Sequence, residues 1–141
     1  MSEAAVFAAV FAALFAGHHL GDHVFQTHRQ ATGKDGRGWP AWRAMAGHLA
    51  AYHACQAATL AGLCALGVPL SVAGTAAALG FSAASHAFLD RRWPVRGLLR
   101  LLGSAPFAAR ASGGINGMYL ADQSLHVGCL YVSALLLALL R

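Results

Sequence analysis

An all-α fold, a four-helix transmembrane bundle with a short interfacial helix between helices three and four, is what this 141-residue sequence predicts. Three observations carry that expectation. The chain is 57% hydrophobic and only 11% charged. Its apolar residues gather in four stretches of about twenty residues or more, each able to span roughly 30 Å of hydrocarbon as a helix. Three of its five acidic residues lie inside those stretches, each four positions from a histidine: His18 and Asp22, His86 and Asp90, Asp122 and His126. A spacing of four puts both side chains on one helix face.

The first helix is expected at about 4–29. Its apolar start lacks a basic flank, beginning Met1-Ser2-Glu3, and polar histidines follow where a signal cleavage site would fall, so it reads as a membrane segment. The second is expected at about 41–66, the third at 69–90 and the fourth at 117–140, making residues 1–141 one integral membrane domain. Between the first two, 31–40 is rich in glycine, carries Lys34, Asp35 and Arg37, and is flanked by Trp39 and Trp42, the composition of a mobile interfacial loop. Gly33-Lys34 lacks the rest of a phosphate-loop motif, which excludes nucleotide binding there. Between helices three and four, Pro94, basic residues at a spacing of four and the apolar set Val95, Leu98, Leu99 and Leu102 predict a helix lying in the headgroup plane. The Gly-rich run 112–117 leads into the fourth helix.

Ten Lys and Arg against five acids would suggest nucleic acid as partner for a soluble chain, but their placement points to a membrane and away from nucleic acid. Arg29, Lys34, Arg37 and Arg43 surround the first connection, and Arg91, Arg92, Arg96, Arg100 and Arg110 occupy the third. Only Arg141 lies elsewhere, and the Gly67-Val68-Pro69 turn is uncharged. By the positive-inside rule both basic connections face the cytoplasm, giving a multi-pass protein of the bacterial plasma (inner) membrane with both termini outside. Cys55, Cys64 and Cys129 fall in apolar helix and read as small hydrophobes.

That orientation places the polar positions of all four helices in one leaflet. His18, Asp22, His48, His53, His86, Asp90, Asp122 and His126 are the candidate metal ligands. Intramembrane ionisable groups normally face a bundle interior and mark functional sites, and helical bundles hold one or two metals with carboxylates and histidines at such spacings. Mixed nitrogen and oxygen donors suit a divalent transition metal, zinc first, with iron and manganese as alternatives. His48 and His53, five apart, point about 140° from each other on a regular helix, so one stands behind the other unless a π-bulge aligns them. Tyr52 shares a face with His48. His18, aligned with Asp22 and Gln26, is preferred over His19. His23 and His28 have no matching carboxylate.

The ordered set His18-x3-Asp22-x3-Gln26, His48 and His53, His86-Ala-Phe-Leu-Asp90 and Asp122-Gln123-Ser-Leu-His126 resembles a family of small bacterial integral membrane proteins catalogued as a domain of unknown function, over almost the whole chain. The resemblance implies a four-helix membrane domain with these polar positions as its hallmark. More loosely, the sequence is similar to predicted membrane-bound metal-dependent hydrolases. The repeated His-x3-Asp, each followed by a basic connection and a His-bearing helix, also suggests an internal duplication.

Three functional classes follow. The first is a metal-dependent hydrolase of a lipid-like ester or phosphoester at the cytoplasmic face, with Asp122 as ligand or general base and Arg91 or Arg92 orienting a headgroup. The second is an ion or proton transport component using the same residues. The third is a structural metal site in a partner-binding protein. Membrane lipids and an amphiphilic substrate are the expected partners, and the small residues at 73–78 would suit a homodimer.

Overall fold

The computed structural model describes residues 1–140, so Arg141 lies outside the described residues. The chain is all-helical apart from one minimal hairpin. Helix α1, Glu3–His19, starts at Ser2, whose hydroxyl accepts the Ala5 N–H at 3.2 Å, and it continues as a π-helical segment, Leu20–Val24. Helix α2, His28–Gly33, leads to the long α3, Gly38–Ala65. After the Gly67 turn come α4, Val72–Leu89, and α5, Trp93–Leu101. The short α6, Ala105–Ala108, precedes a hairpin of β1, Ala111–Ser112, and β2, Ile115–Asn116, paired antiparallel across Gly113 and Gly114. Both glycines have positive φ, which the tight turn demands. Asn116 then caps α7, Gly117–Leu139, by accepting the Tyr119 N–H.

Among the described residues, three helical segments are long and apolar enough to cross a membrane: Glu3–Val24, Val72–Leu89 and Gly117–Leu139. The 28-residue α3 is longer than any of these but falls outside that group; His48, His53 and Gln56 lower its hydropathy. The expected first helix, 4–29, ends earlier. Thr27 and Gln30 form a reciprocal capping box that starts a new helix, and a cap of this kind fixes a helix start whatever the hydropathy of the stretch. The same box corrects the expected loop at 31–40, part of which is α2, and α2 packs on α3.

Helix α1 lies between α3 and α7, α7 also packs on α4, and α3 meets α4 less extensively. Each of the four long helices buries one stripe at a spacing of four: Val6, Val10, Leu14 and His18 on α1; Leu60, Gln56, Tyr52 and His48 on α3; Gly74, Ala78, Ser82 and His86 on α4; Ala138, Ala134, Leu130 and His126 on α7. Read in those directions, every stripe begins apolar or small and ends in a histidine. The apolar ends form one core with Val68 and Leu137. The outward faces expose Phe15, Leu20, Val72, Phe88, Val132 and Leu139, as a lipid-facing surface would.

Close approach of α1 and its π-helical extension to α3 depends on Gly17 and Gly21. A Cβ on Gly17 would meet Gln56 Oε1 at 2.9 Å, and one on Gly21 would meet the Tyr52 Cα at 2.9 Å. Glycines four apart let helix backbones come together where apolar burial gives no drive. Tyr52 Cα is backbone and cannot swing aside. Gly21→Ala should therefore cost about 1–3 kcal/mol of stability through overpacking, whereas Gly128→Ala, with open space around it, should be neutral. Thermal unfolding of both variants in detergent measures the difference, and equal melting points would contradict this account.

Candidate metal centre

Where the four stripes end, their histidines meet the acidic residues one helical turn on. Asp22 comes from the π-helical segment, His48 from α3, His86 from α4 and Asp90 from the cap of α4. The separations between their ligand atoms are 2.8 Å for His48 Nε2 to His86 Nε2, 3.2 Å for His48 Nε2 to Asp22 Oδ1 and 3.3 Å for His48 Nε2 to Asp90 Oδ2. His86 Nε2 adds 3.1 Å to Asp90 Oδ2 and 3.8 Å to Asp22 Oδ1. Four ligands at about 2.0–2.1 Å from one tetrahedral ion stand about 3.3 Å apart. The five edges scatter around that length, so the donor set fits a divalent transition metal in both chemistry and spacing.

A second group, Asp90, Asp122 and His126, shares Asp90 with the first. His126 Nδ1 lies 2.9 Å from the Asp122 main-chain carbonyl. A carbonyl only accepts, so Nδ1 carries the proton and Nε2 presents its lone pair. His126 Nε2 and Asp122 Oδ1 are both buried without a hydrogen-bond partner.

Lys34 was not anticipated as a member of the site. Only 6% exposed, it brings its ammonium to 2.8 Å from Asp90 Oδ1, 3.5 Å from Asp22 Oδ1 and 3.1 Å from His48 Nε2. A single lysine in a Gly-rich connection carries no pattern of its own. The legible signal was the capping box at Thr27 and Gln30, because α2 folds the connection back over the bundle and Lys34 directly follows it.

His18 stands behind the ligand groups. Its Nε2–H donates to Gln123 Oε1 at 2.9 Å, and Gln123 Nε2 donates to Asp22 Oδ2 at 2.8 Å. On the other side Tyr52 donates to His18 Nδ1 at 3.2 Å while accepting from Gln56 Nε2 at 2.9 Å. Gln56, Tyr52, His18 and Gln123 thus form a one-way chain of donors ending on Asp22. With both ring nitrogens engaged, His18 has no free donor atom and stands outside both candidate ligand groups. His53 is also elsewhere: its Nδ1 donates to the Leu49 carbonyl at 2.8 Å, one turn back on the same helix. No π-bulge interrupts α3, so the 140° offset from His48 persists.

Arg91 and Arg92 take different positions. Arg91 donates to the Lys34 and Gly36 carbonyls, each at 3.0 Å, and lies 4.1 Å over the Trp42 ring. It clasps the segment that carries Lys34. Arg92, about half exposed, lies 3.5 Å from Asp35. It also lines a cavity of about 120 Å³ bordered by Asp22, His23, Gln26, Ala31, Lys34, Asp90, Tyr119, Asp122 and Gln123. His23 belongs to this rim, with its Nε2 at 2.6 Å from the Tyr119 hydroxyl.

Comparison with protein-family models, with curated proteins and with solved structures finds no match.

Asp90 touches Lys34, His48 and His86 and faces His126, all of them groups that carry or can carry positive charge. Removing one member of a buried charged network costs about 3–5 kcal/mol, because the partner charge is left unmatched. Asp90→Asn should lose stability on that scale, and Lys34→Met in the same background should recover part of the loss. A two-variant cycle by detergent unfolding tests this, and strictly additive losses would refute the network.

Proposed function

We propose that this chain is a four-helix integral membrane protein, α3 included, whose Asp22–His48–His86–Asp90 group holds a divalent transition metal used to hydrolyse a lipid-like ester or phosphoester. The single observation that supports it most is the near-tetrahedral spacing of those four ligand atoms, drawn from three separate helical segments. A structural cross-link alone would not need the bordering cavity. Bound there, a metal supplies Lewis-acid polarisation of the scissile group and a nucleophile from water at neutral pH.

The protein's own groups have distinct tasks in this reading. His18 and Gln123 hold Asp22 in place. Lys34 and Arg92 give the cavity positive charge toward an anionic group. Arg91 fixes the Lys34 segment instead of meeting substrate. The Trp39, Trp42 and Trp93 side chains, all largely exposed, set the interface level around the mouth. Helix α5, with only Val95 buried, lies along the headgroups. In this reading the chain keeps company with the small bacterial membrane proteins its motifs resemble.

A second reading is favoured by one observation, the Lys34 ammonium among Asp22, His48 and Asp90. An internal cation balances carboxylates without any metal, and a Lys–Asp–His cluster suits a proton relay. Elemental analysis separates the two. Protein purified in detergent without a His-tag should carry at least one equivalent of zinc, iron or manganese, and His48→Ala or His86→Ala should lose it. Metal-dependent cleavage of chromogenic phosphoesters and esters should fall with it. A metal-free wild type with intact folding would reject the hydrolase and leave the relay.

Orientation is tested separately. With the native cysteines replaced, a cysteine at Arg37 or Arg96 should react with an impermeant thiol reagent only after the membrane is opened, and one at Ser71 should react in intact cells. The reverse pattern would invert the topology.

A further inference from the structure

We infer that the Asp90–Asp122–His126 group holds a second divalent cation, that Asp90 bridges the two ions, and that the substrate class is a phosphoester. This rests on the metal reading of the first group. The two oxygens of Asp90 face different sets of donors. Its Oδ2 lies 3.3 and 3.1 Å from the Nε2 atoms of His48 and His86, while its Oδ1, which also meets the Lys34 ammonium at 2.8 Å, faces His126 Nε2 at 3.9 Å. One carboxylate oxygen directed at each group is the arrangement a bridging ligand requires.

The second group shows its own unmet demand. His126 is 2% exposed, its Nδ1 proton is committed to the Asp122 carbonyl, and its Nε2 lone pair has no partner. A ligating imidazole is oriented in this manner by a carbonyl on its other nitrogen. Asp122 Oδ1 is unpartnered as well, and ligand atoms of Asp90, Asp122 and His126 all lie within 4.8 Å of one another. The 3.9 Å separation is within the roughly 4.2 Å that two ligands of about 2.1 Å can span around one ion.

Charge narrows the substrate. Three carboxylates against the single Lys34 ammonium leave an excess of two negative charges with neutral imidazoles. One divalent ion balances this, and a second makes the pocket positive. A dianionic phosphomonoester restores neutrality and a phosphodiester halves the excess, whereas a neutral carboxylic ester leaves it unchanged. Carboxylates of both groups border the one cavity, and Arg92 stands at that same cavity. Paired ions on a shared carboxylate clamp the attacking and leaving oxygens of a phosphoryl centre.

The test uses full-length protein in detergent, stripped with chelator and titrated with manganese alone. Wild type should retain two equivalents after desalting and give the paramagnetic resonance pattern of a spin-coupled pair. Asp122→Asn and His126→Leu, confirmed folded by thermal unfolding, should each retain one equivalent and lose the coupled pattern. Added inorganic phosphate should tighten manganese binding severalfold in wild type and not in either variant. One equivalent in wild type, or two retained in both variants, would overturn the second site while leaving the first in place. No bound manganese in wild type would overturn both readings. A coupled pair indifferent to phosphate would overturn the phosphoester assignment.

Discussion

Three carboxylates brought together among apolar helices are the constraint on which this structure depends. Each carboxylate left alone in such surroundings would cost several kcal/mol, and three around one cavity would repel. The fold meets that demand with Lys34 and a ring of imidazoles, and it commits one end of all four long helices to the task. The helices are held in register by this cluster at one end and by an apolar core at the other. Packing of small and aliphatic residues alone, as at Ala78 and Ala134, has no such directional requirement.

Much of the site was legible because intramembrane charge is rare. Spacings of four between His and Asp make the pairs visible, and the orientation expected from the Lys and Arg distribution puts them at one depth. Asp22, His48, His86, Asp90, Asp122 and His126 do converge in two groups. Helical periodicity showed that His48 and His53 diverge, but not which of the two joins the group. It was not enough to rank His18, because whether a buried imidazole binds a metal or orients a neighbour depends on what both nitrogens touch. Gln123 and Tyr52 decide that for His18, and they come from other helices.

What the sequence concealed lay in the connections. A Gly-rich, basic stretch between apolar helices reads as loop, and hydropathy does not distinguish a free loop from one folded back on the bundle. The difference rests on four residues, Thr27 to Gln30, whose reciprocal hydrogen bonds restart the helix. From that restart follow the burial of Lys34 and the clasp by Arg91. Arg91 and Arg92, neighbours in sequence, part company because the backbone at Arg92 adopts φ 59°, a left-handed turn that sends the two side chains to different work.

Asp22 and Asp90 share a further property through their place on their helices. Asp90 caps the C-terminus of α4, and Asp22 sits in the π-helical segment that continues α1. Both lie near helix C-termini, where the aligned peptide dipoles concentrate negative potential. The backbone thus adds to the field of the side chains, and it does so with groups that no substitution removes. Exchanging a ligand residue would weaken the grip on a cation but leave the electrostatic preference for one. On the proposed metal-binding reading, the pocket discriminates by the sign of a charge before it discriminates by the geometry of an ion.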